Sequence, residues 1–422
     1  MSTNEDAQTP QKETSLWRNA DYMLLWSGQV VSTLGTTASN IVYPLLILAI
    51  TNSPAAAGIA GALGFIPYIV FSLPVGALID RWDRKRVMIL CDIGRGLTLA
   101  SVAIAIFFNV LTIWQIYIAA LIEGSLFVFF NIAEVAALPR VVSREQLPEA
   151  AAQNEAAFGA TAIVGPSFGT FLYQALGRGA PFIADAISYA ISVVSLSFIK
   201  TKFQMEREAT TNRNLRAEIM EGLRWLWGQP LIRYMAFLTG AFNMVGSATN
   251  LIIILLAKNM GAQDAQIGLI FSIAVLGCIL GSLIGGQIQK RFSFGQVIIT
   301  VTWIQTLLFP LYIFAPQFLW LGLITGLAYF TIPLYNVVQF SYRLALIPDE
   351  LQGRVNSTFR LLAFGFNPLG AALSGILLER LGTTPTIIVF SICFLVMAVS
   401  TNLNTHVRHA RPVQHIASLQ TN

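Results

Sequence analysis

Charge is scarce in this chain. Only 11% of its 422 residues are Asp, Glu, Lys or Arg, under half the roughly 25% of an ordinary soluble domain. That is too little to coat a soluble surface. With 55% hydrophobic residues and a mean hydropathy of +0.65, a disordered or collagen-like chain is excluded too. Histidine is almost missing: His406, His409 and His415 all lie in the C-terminal tail, so no histidine-based catalytic site or metal cage is expected in the apolar body. Cys91, Cys278 and Cys393 are far apart, inside or beside apolar segments, and give neither a disulfide framework nor zinc spacing. No lysine sits in a G-x-x-x-x-G-K-[ST] loop, which excludes an ATP-driven pump on this chain. The polar first twenty residues lack the order of a signal peptide, so the first apolar run is expected to stay in the mature protein.

What is present is a series of twelve apolar runs, at about 22–50, 56–79, 88–108, 113–138, 153–175, 181–199, 231–257, 266–289, 296–314, 318–343, 355–378 and 385–403. Each is near the 20 residues a membrane helix needs. Runs of this length argue against a membrane barrel, whose strands alternate over about ten residues. The basic residues divide unevenly. With the N-terminus in the cytoplasm, the opposite side holds only Arg178, Lys258 and Arg380, while Arg95 and Arg360 fall within spans; the other 21 of the 26 Lys and Arg residues fall on the cytoplasmic side. This predicts twelve spans with both termini cytoplasmic. The net charge of +5 is then a topology device, and nucleic acid is not an expected partner.

The halves resemble each other. An offset of 210 aligns Gln29 with Thr239, Thr33 with Asn243, Asn40 with Asn250, and Gly76 with Gly286; an offset of 202 aligns Gly124 with Gly326 and Pro166 with Pro368. Two six-helix bundles related by an axis along the membrane normal produce such a pattern and place a substrate between them. The expected organisation is a tail over 1–20, a bundle over 21–200, a linker over 201–230, a bundle over 231–404 and a tail over 405–422. In the linker, Leu215, Ile219, Leu223 and Leu226 recur at helical spacing between charges, as in an amphipathic interfacial helix.

The segment Gly76-Ala-Leu-Ile-Asp80-Arg81-Trp-Asp83-Arg84-Lys85-Arg86 resembles the signature loop of the major facilitator superfamily, roughly G-x-L-x-D-R-x-G-R-[KR]. Asp83 stands at the second Gly. Leu25-Trp26-Ser-Gly28-Gln29, Cys91-Asp92-Ile-Gly-Arg95, Gly165-Pro166-Ser-Phe-Gly169, Asp185-Ala-Ile-Ser188 and Ile347-Pro348-Asp-Glu-Leu-Gln-Gly353-Arg354 are similar to the multidrug, macrolide and enterobactin exporter branch. The resemblance implies an all-α, twelve-helix integral membrane protein in two pseudo-symmetric bundles, a bacterial inner-membrane location, and a conformational latch at Gly76, Asp80, Arg81, Arg84 and Lys85. Family members often carry an acid near Gly35; here Thr36 follows.

Intramembrane acids are costly and are functional candidates by default. Glu123 and Glu134 are eleven residues apart, nearly three full turns, and so share one face of the fourth span. Asp185 is near the outer end of the sixth, and Asp92 and Arg95, three apart, suit a local pair. Glu123, Glu134 and Asp185 are the candidates for proton coupling or substrate contact. Gln29, Thr33, Thr36 and Asn40, with Thr239, Asn243 and Asn250, are candidates for a central cavity or for helix–helix contacts. The expected function is non-enzymatic: secondary active transport by alternating access, as proton-coupled efflux of amphipathic drugs, macrolides or siderophore-like molecules. The expected partners are that small molecule, the proton and membrane lipid, with a monomer as the working unit and no cofactor or metal. Import or facilitated passage of a small metabolite is the alternative, and a non-transporting receptor or scaffold a remoter one.

Overall fold

In the computed structural model, which describes residues 16–79, 81–143, 146–204, 215–348 and 351–410, twelve helices are long and apolar enough to cross a membrane. There is no strand among the described residues. The first six spans are α1 (Ala20–Thr51), α2 (Pro54–Ile79), α3 (Arg84–Phe107), α4 (Ile113–Val141), α5 (Leu147–Leu176) and α6 (Ala180–Phe198). Local chemistry sets their ends. The Asn19 side chain accepts from the Tyr22 N–H at 3.0 Å to start α1, and Asn52 closes it with a left-handed φ of 51°. Asp83 caps α3 by accepting from the Arg86 N–H at 3.1 Å, so the residue standing at the signature's second Gly serves as an N-cap.

A linker helix, α7 (Leu215–Gly228), leads to the second set: α8 (Pro230–Asn259), α9 (Asp264–Arg291), α10 (Phe294–Leu308) with a 3-10 continuation Phe309–Phe314, α11 (Phe318–Leu346), α12 (Gln352–Gly365), α13 (Asn367–Leu381) and α14 (Thr383–Leu403). The short α15 (Thr405–Arg408) follows. Span nine tightens at Pro310, and span eleven breaks between α12 and α13 just before Pro368; each proline removes a helical N–H. The linker helix packs on the second set: Glu221 pairs with Arg354, and Leu226 is fully buried. Trp17, Trp82 and Trp227 are exposed at the end of the bundle that carries the termini, and Trp114 and Trp320 at the far end. Two such girdles are the mark of two membrane–water interfaces.

The repeat is visible in packing. A Cβ on Gly124 of α4 would sit 3.1 Å from the Gly64 carbonyl carbon of α2; one on Gly326 of α11 would sit 3.3 Å from the Ile273 carbonyl oxygen of α9. The Thr37 hydroxyl of α1 donates to the Thr161 carbonyl of α5 at 3.3 Å, and Asn243 of α8 donates to the Ala363 carbonyl of α12 at 2.9 Å. Thr161 and Ala363 are mates at the 202 offset, so the same helix seam is built twice from different donors.

The two sets meet along two seams. On one, α2 meets α13, where a Cβ on Gly58 would lie 2.9 Å from the Gly375 Cα. On the other, Ser167 and Ser272 share a hydrogen bond of 2.9 Å, and Gln174 donates to Gln263 at 3.3 Å. The carboxylate of Glu379 accepts from the Ser53 hydroxyl and, at 3.0 Å, from the Ala55 N–H. One half thus caps the first turn of α2 in the other. All these contacts lie in the half of the molecule away from the termini.

Candidate functional site

A buried polar cluster crosses four helices of the first half. Its geometry follows from helical spacing. Asp185, Ser188, Tyr189 and Ser192 of α6 lie at i, i+3, i+4 and i+7, and all are buried. They face Thr36 and Ser39 of α1, Asp92 and Arg95 of α3, and Glu123 of α4. Arg95 is the hub. Its Nε lies 3.4 Å from Glu123 Oε2, and its Nη1 lies 3.9 Å from Asp92 Oδ1. The guanidinium carbon stands 4.2 Å from the Tyr189 ring centre and 5.7 Å from that of Phe127. The Tyr189 hydroxyl donates to Glu123 at 3.4 Å and shares a 2.9 Å hydrogen bond with the Thr36 hydroxyl.

Asp185 is tied in from the other side. Ser39 donates to its Oδ2 at 2.5 Å and Ser188 to its Oδ1 at 3.1 Å. A Cβ on Gly35 would fall 2.6 Å from Asp185 Oδ1, so the glycine makes room for this carboxylate. The position that α1 leaves without an acid is therefore occupied in space by an acid from α6. Three carboxylates share one guanidinium. Glu123 Oε1 is buried without a hydrogen bond, and the Asp92 carboxylate is buried against the Ser192 hydroxyl. Such a cluster holds protons or cations readily, because each added positive charge relieves an uncompensated negative one.

The sequence expectations divide. Glu123 and Asp185 come together around Arg95. Glu134, about 16 Å further along α4, is half-buried and makes no hydrogen bond or ion pair among the described residues. Of the polar stripes, Thr36 joins the cluster, Thr239 bonds the Tyr335 hydroxyl at 2.7 Å, and Asn243 bonds α12. These three fasten helices. Asn40 and Asn250 are exposed, and Asn250 accepts from Tyr329 at 3.5 Å. Gln29 and Thr33 are half-buried, and Gln29 Nε2 is buried without a partner. In the latch segment, Asp80 lies outside the described residues. Arg84 donates to the Ala136 carbonyl at 2.7 Å and Lys85 to the Ile199 carbonyl at 2.7 Å, both within the first half. Arg81 is exposed, and a Cβ on Gly76 would meet nothing within 4 Å, so no packing demand explains that glycine here. A groove of about 710 Å³ between α3 and α6 is lined almost wholly by apolar side chains. It lies within the first half, away from the seams between the halves.

Sequence reasoning missed Arg95 as the partner of Glu123, and Tyr189 altogether. A signal was present in the four-residue rhythm of Asp185, Ser188, Tyr189 and Ser192, which reads as one polar face on an otherwise apolar helix.

Residues 25–254 match the family model for the Major Facilitator Superfamily. The chain belongs to this superfamily. Among curated relatives of this superfamily member, the multidrug efflux pump Tap of Mycolicibacterium fortuitum is 27% identical over 89% of the chain and 94% of the relative. The macrolide efflux protein A of Streptococcus pyogenes is 24% identical over 86% and 90%, and the enterobactin exporter EntS of Salmonella typhi 23% over 84% of each. The solved nucleoside transporter NupG superposes with a TM-score of 0.73 at 14% identity, covering 94% of this chain and 100% of that one. A bacterial homologue of the iron transporter ferroportin gives 0.73 at 15%, covering 92% and 99%. These two share the fold. The protein is a major facilitator transporter with twelve helices long and apolar enough to span a membrane; it is similar to efflux proteins of that superfamily, and its family is not an enzyme class.

Proposed function

We propose that this protein exports amphipathic small molecules across a bacterial inner membrane in exchange for protons, with both termini in the cytoplasm. The observation that carries the reading is the Arg95–Glu123 pair, buried within the membrane at 3.4 Å with one Glu123 oxygen left without a hydrogen bond. A carboxylate held by a single long ion pair gives up its partner when it takes a proton. That change of charge is what an exchange cycle needs. The relatives named for multidrug, macrolide and siderophore efflux support the substrate class. The far-end contacts, Ser53 with Glu379 and Gly58 with Gly375, support an alternating-access cycle in which that end is closed here.

The test is uptake of a fluorescent macrolide into everted vesicles or proteoliposomes carrying the purified protein, with the lumen acidified. Accumulation should follow the pH gradient and collapse on adding a protonophore. Uptake that ignores the gradient and the protonophore and stops at equal concentrations on the two sides would leave facilitated passage as the correct reading.

A further inference from the structure

The second half carries intramembrane charge of the opposite sign. Between 231 and 403 its acids are Asp264, Asp349, Glu350 and Glu379. Asp264 opens α9 and Glu379 stands in the last turn of α13, while Asp349 and Glu350 lie outside the described residues. Two arginines lie further in. Arg360 sits on α12, eight residues after its start, within the eleventh span. It is exposed, and it makes no hydrogen bond or ion pair among the described residues. Arg343 of α11 is buried with its guanidinium carbon 4.0 Å from the Phe359 ring centre and 5.4 Å from that of Phe340, and its Nε has no hydrogen bond. Phe359 is the residue before Arg360, so the ring that seats one arginine adjoins the other.

A topology residue reaching for the interface would account for Arg360 if it faced lipid. Its face is otherwise. Phe364, one turn on, meets Tyr68 of α2 in the other half, with ring centres 5.7 Å apart. By the 100° step of a helix, Arg360 lies about 40° from Phe364. It therefore looks into the space between the halves, on the terminus side of the Tyr68–Phe364 contact. A cation without a counter-charge is expensive there, and the counter-charge that space admits is a solute's.

We propose that Arg360, with Arg343 behind it, forms an anion-recognition site in the seam between the halves, and that the transported amphipaths include molecules whose carboxylate, sulfonate or similar anionic group is held there. Arg360 takes that group in a charge-assisted contact, and Phe364 and Tyr68 face the apolar body. This rests on the transport reading above and names the chemistry of its substrate. It also divides the work: the carboxylates of the first half handle protons, and the arginines of the second handle the solute. An anionic lipid headgroup has the same chemistry, and the experiment separates the two.

Binding of dansylglycine, an anion, and dansylcadaverine, a cation with the same fluorophore, is measured on purified protein in zwitterionic nanodiscs without any gradient. The wild type should bind the anion more tightly than the cation. Arg360→Gln should weaken dansylglycine binding at least about tenfold, Arg360→Lys should retain most of it, and dansylcadaverine should bind the Gln variant no more weakly than the wild type. Equal loss of both probes, or an unchanged anion affinity in Arg360→Gln, would overturn the proposal. So would abolition of the anion preference by phosphatidylglycerol in the nanodisc, which would assign the arginines to lipid. Because no gradient or direction enters, failure of the efflux reading leaves this measurement intact.

Discussion

Arg95→Met removes the only cation within 4 Å of Glu123 and Asp92 among the described residues. The two side chains are 16% and 0% exposed, so neither carboxylate is rescued by solvent. Breaking a buried pair by deleting one member costs roughly 3–5 kcal/mol, and the lost contacts with Tyr189 and Phe127 add about 0.5–2 kcal/mol. Glu123→Gln is milder. It leaves Arg95 facing Asp92 at 3.9 Å and stacked on Tyr189, so about 1–2 kcal/mol is expected for the hydrogen bonds disturbed. The double variant Arg95→Met/Glu123→Met removes the stranded Glu123 and leaves Asp92 as the one carboxylate that has lost its cation, so it should recover part of the single Arg95→Met loss. Thermal unfolding of the purified variants gives the order: wild type, then Glu123→Gln, then the double variant, with Arg95→Met least stable. A double-mutant cycle built from Arg95→Met and Glu123→Met should show a coupling of at least about 2 kcal/mol. The Arg95→Met deficit should narrow as pH falls, because the stranded carboxylates are then neutral in both folded and unfolded chains. An Arg95→Met variant as stable as the wild type, or an additive cycle, would refute the claim that these groups form one unit.

Three further outcomes are expected. Single cysteines placed beside Arg178 and Lys258 should be labelled by a membrane-impermeant maleimide from outside intact cells, and one beside Arg84 should not; the reverse pattern would invert the topology. Gly58→Leu places a side chain where a Cβ alone would be 2.9 Å from the Gly375 Cα, so it should prop the far end open and raise labelling of far-end cysteines, and unchanged labelling would remove this seam from the cycle. Asp80→Asn should lower transport while expression holds and shift accessibility toward the cytoplasmic side; unchanged transport would reduce the signature loop to a topology anchor.

How much of this was legible beforehand depends on the scale of the signal. The twelve spans were readable because each needs about twenty consecutive apolar residues, and composition reports that directly. The repeat was readable where glycine is required by close packing, as at Gly124 and Gly326. The partners of Glu123 were not. Arg95 is 28 residues away and Tyr189 is 66 away, and only the packing of α3, α4 and α6 decides which face of each helix meets the others. The local Asp92–Arg95 spacing hid the longer-range pair, since i,i+3 neighbours explain each other without a third helix. The stripes of Thr36, Thr239 and Asn243 were ambiguous for the same reason: a hydroxyl or amide on a membrane helix serves a cavity and a neighbouring helix equally well until the neighbour is known. The break in span eleven, between α12 and α13, was signalled by Pro368, but its consequence, Phe364 and Arg360 set against the opposite half, required the assembled seam.

In the proposed cycle, a carboxylate of the Arg95 cluster carries the coupling proton. The most direct measurement compares Glu123→Gln, Asp185→Asn and Glu134→Gln in proteoliposomes with an imposed pH gradient, reading both gradient-driven accumulation and gradient-free exchange of the same macrolide. Glu123→Gln should abolish accumulation and spare exchange, while Glu134→Gln, outside the cluster, should retain accumulation. Normal accumulation by both Glu123→Gln and Asp185→Asn would contradict it.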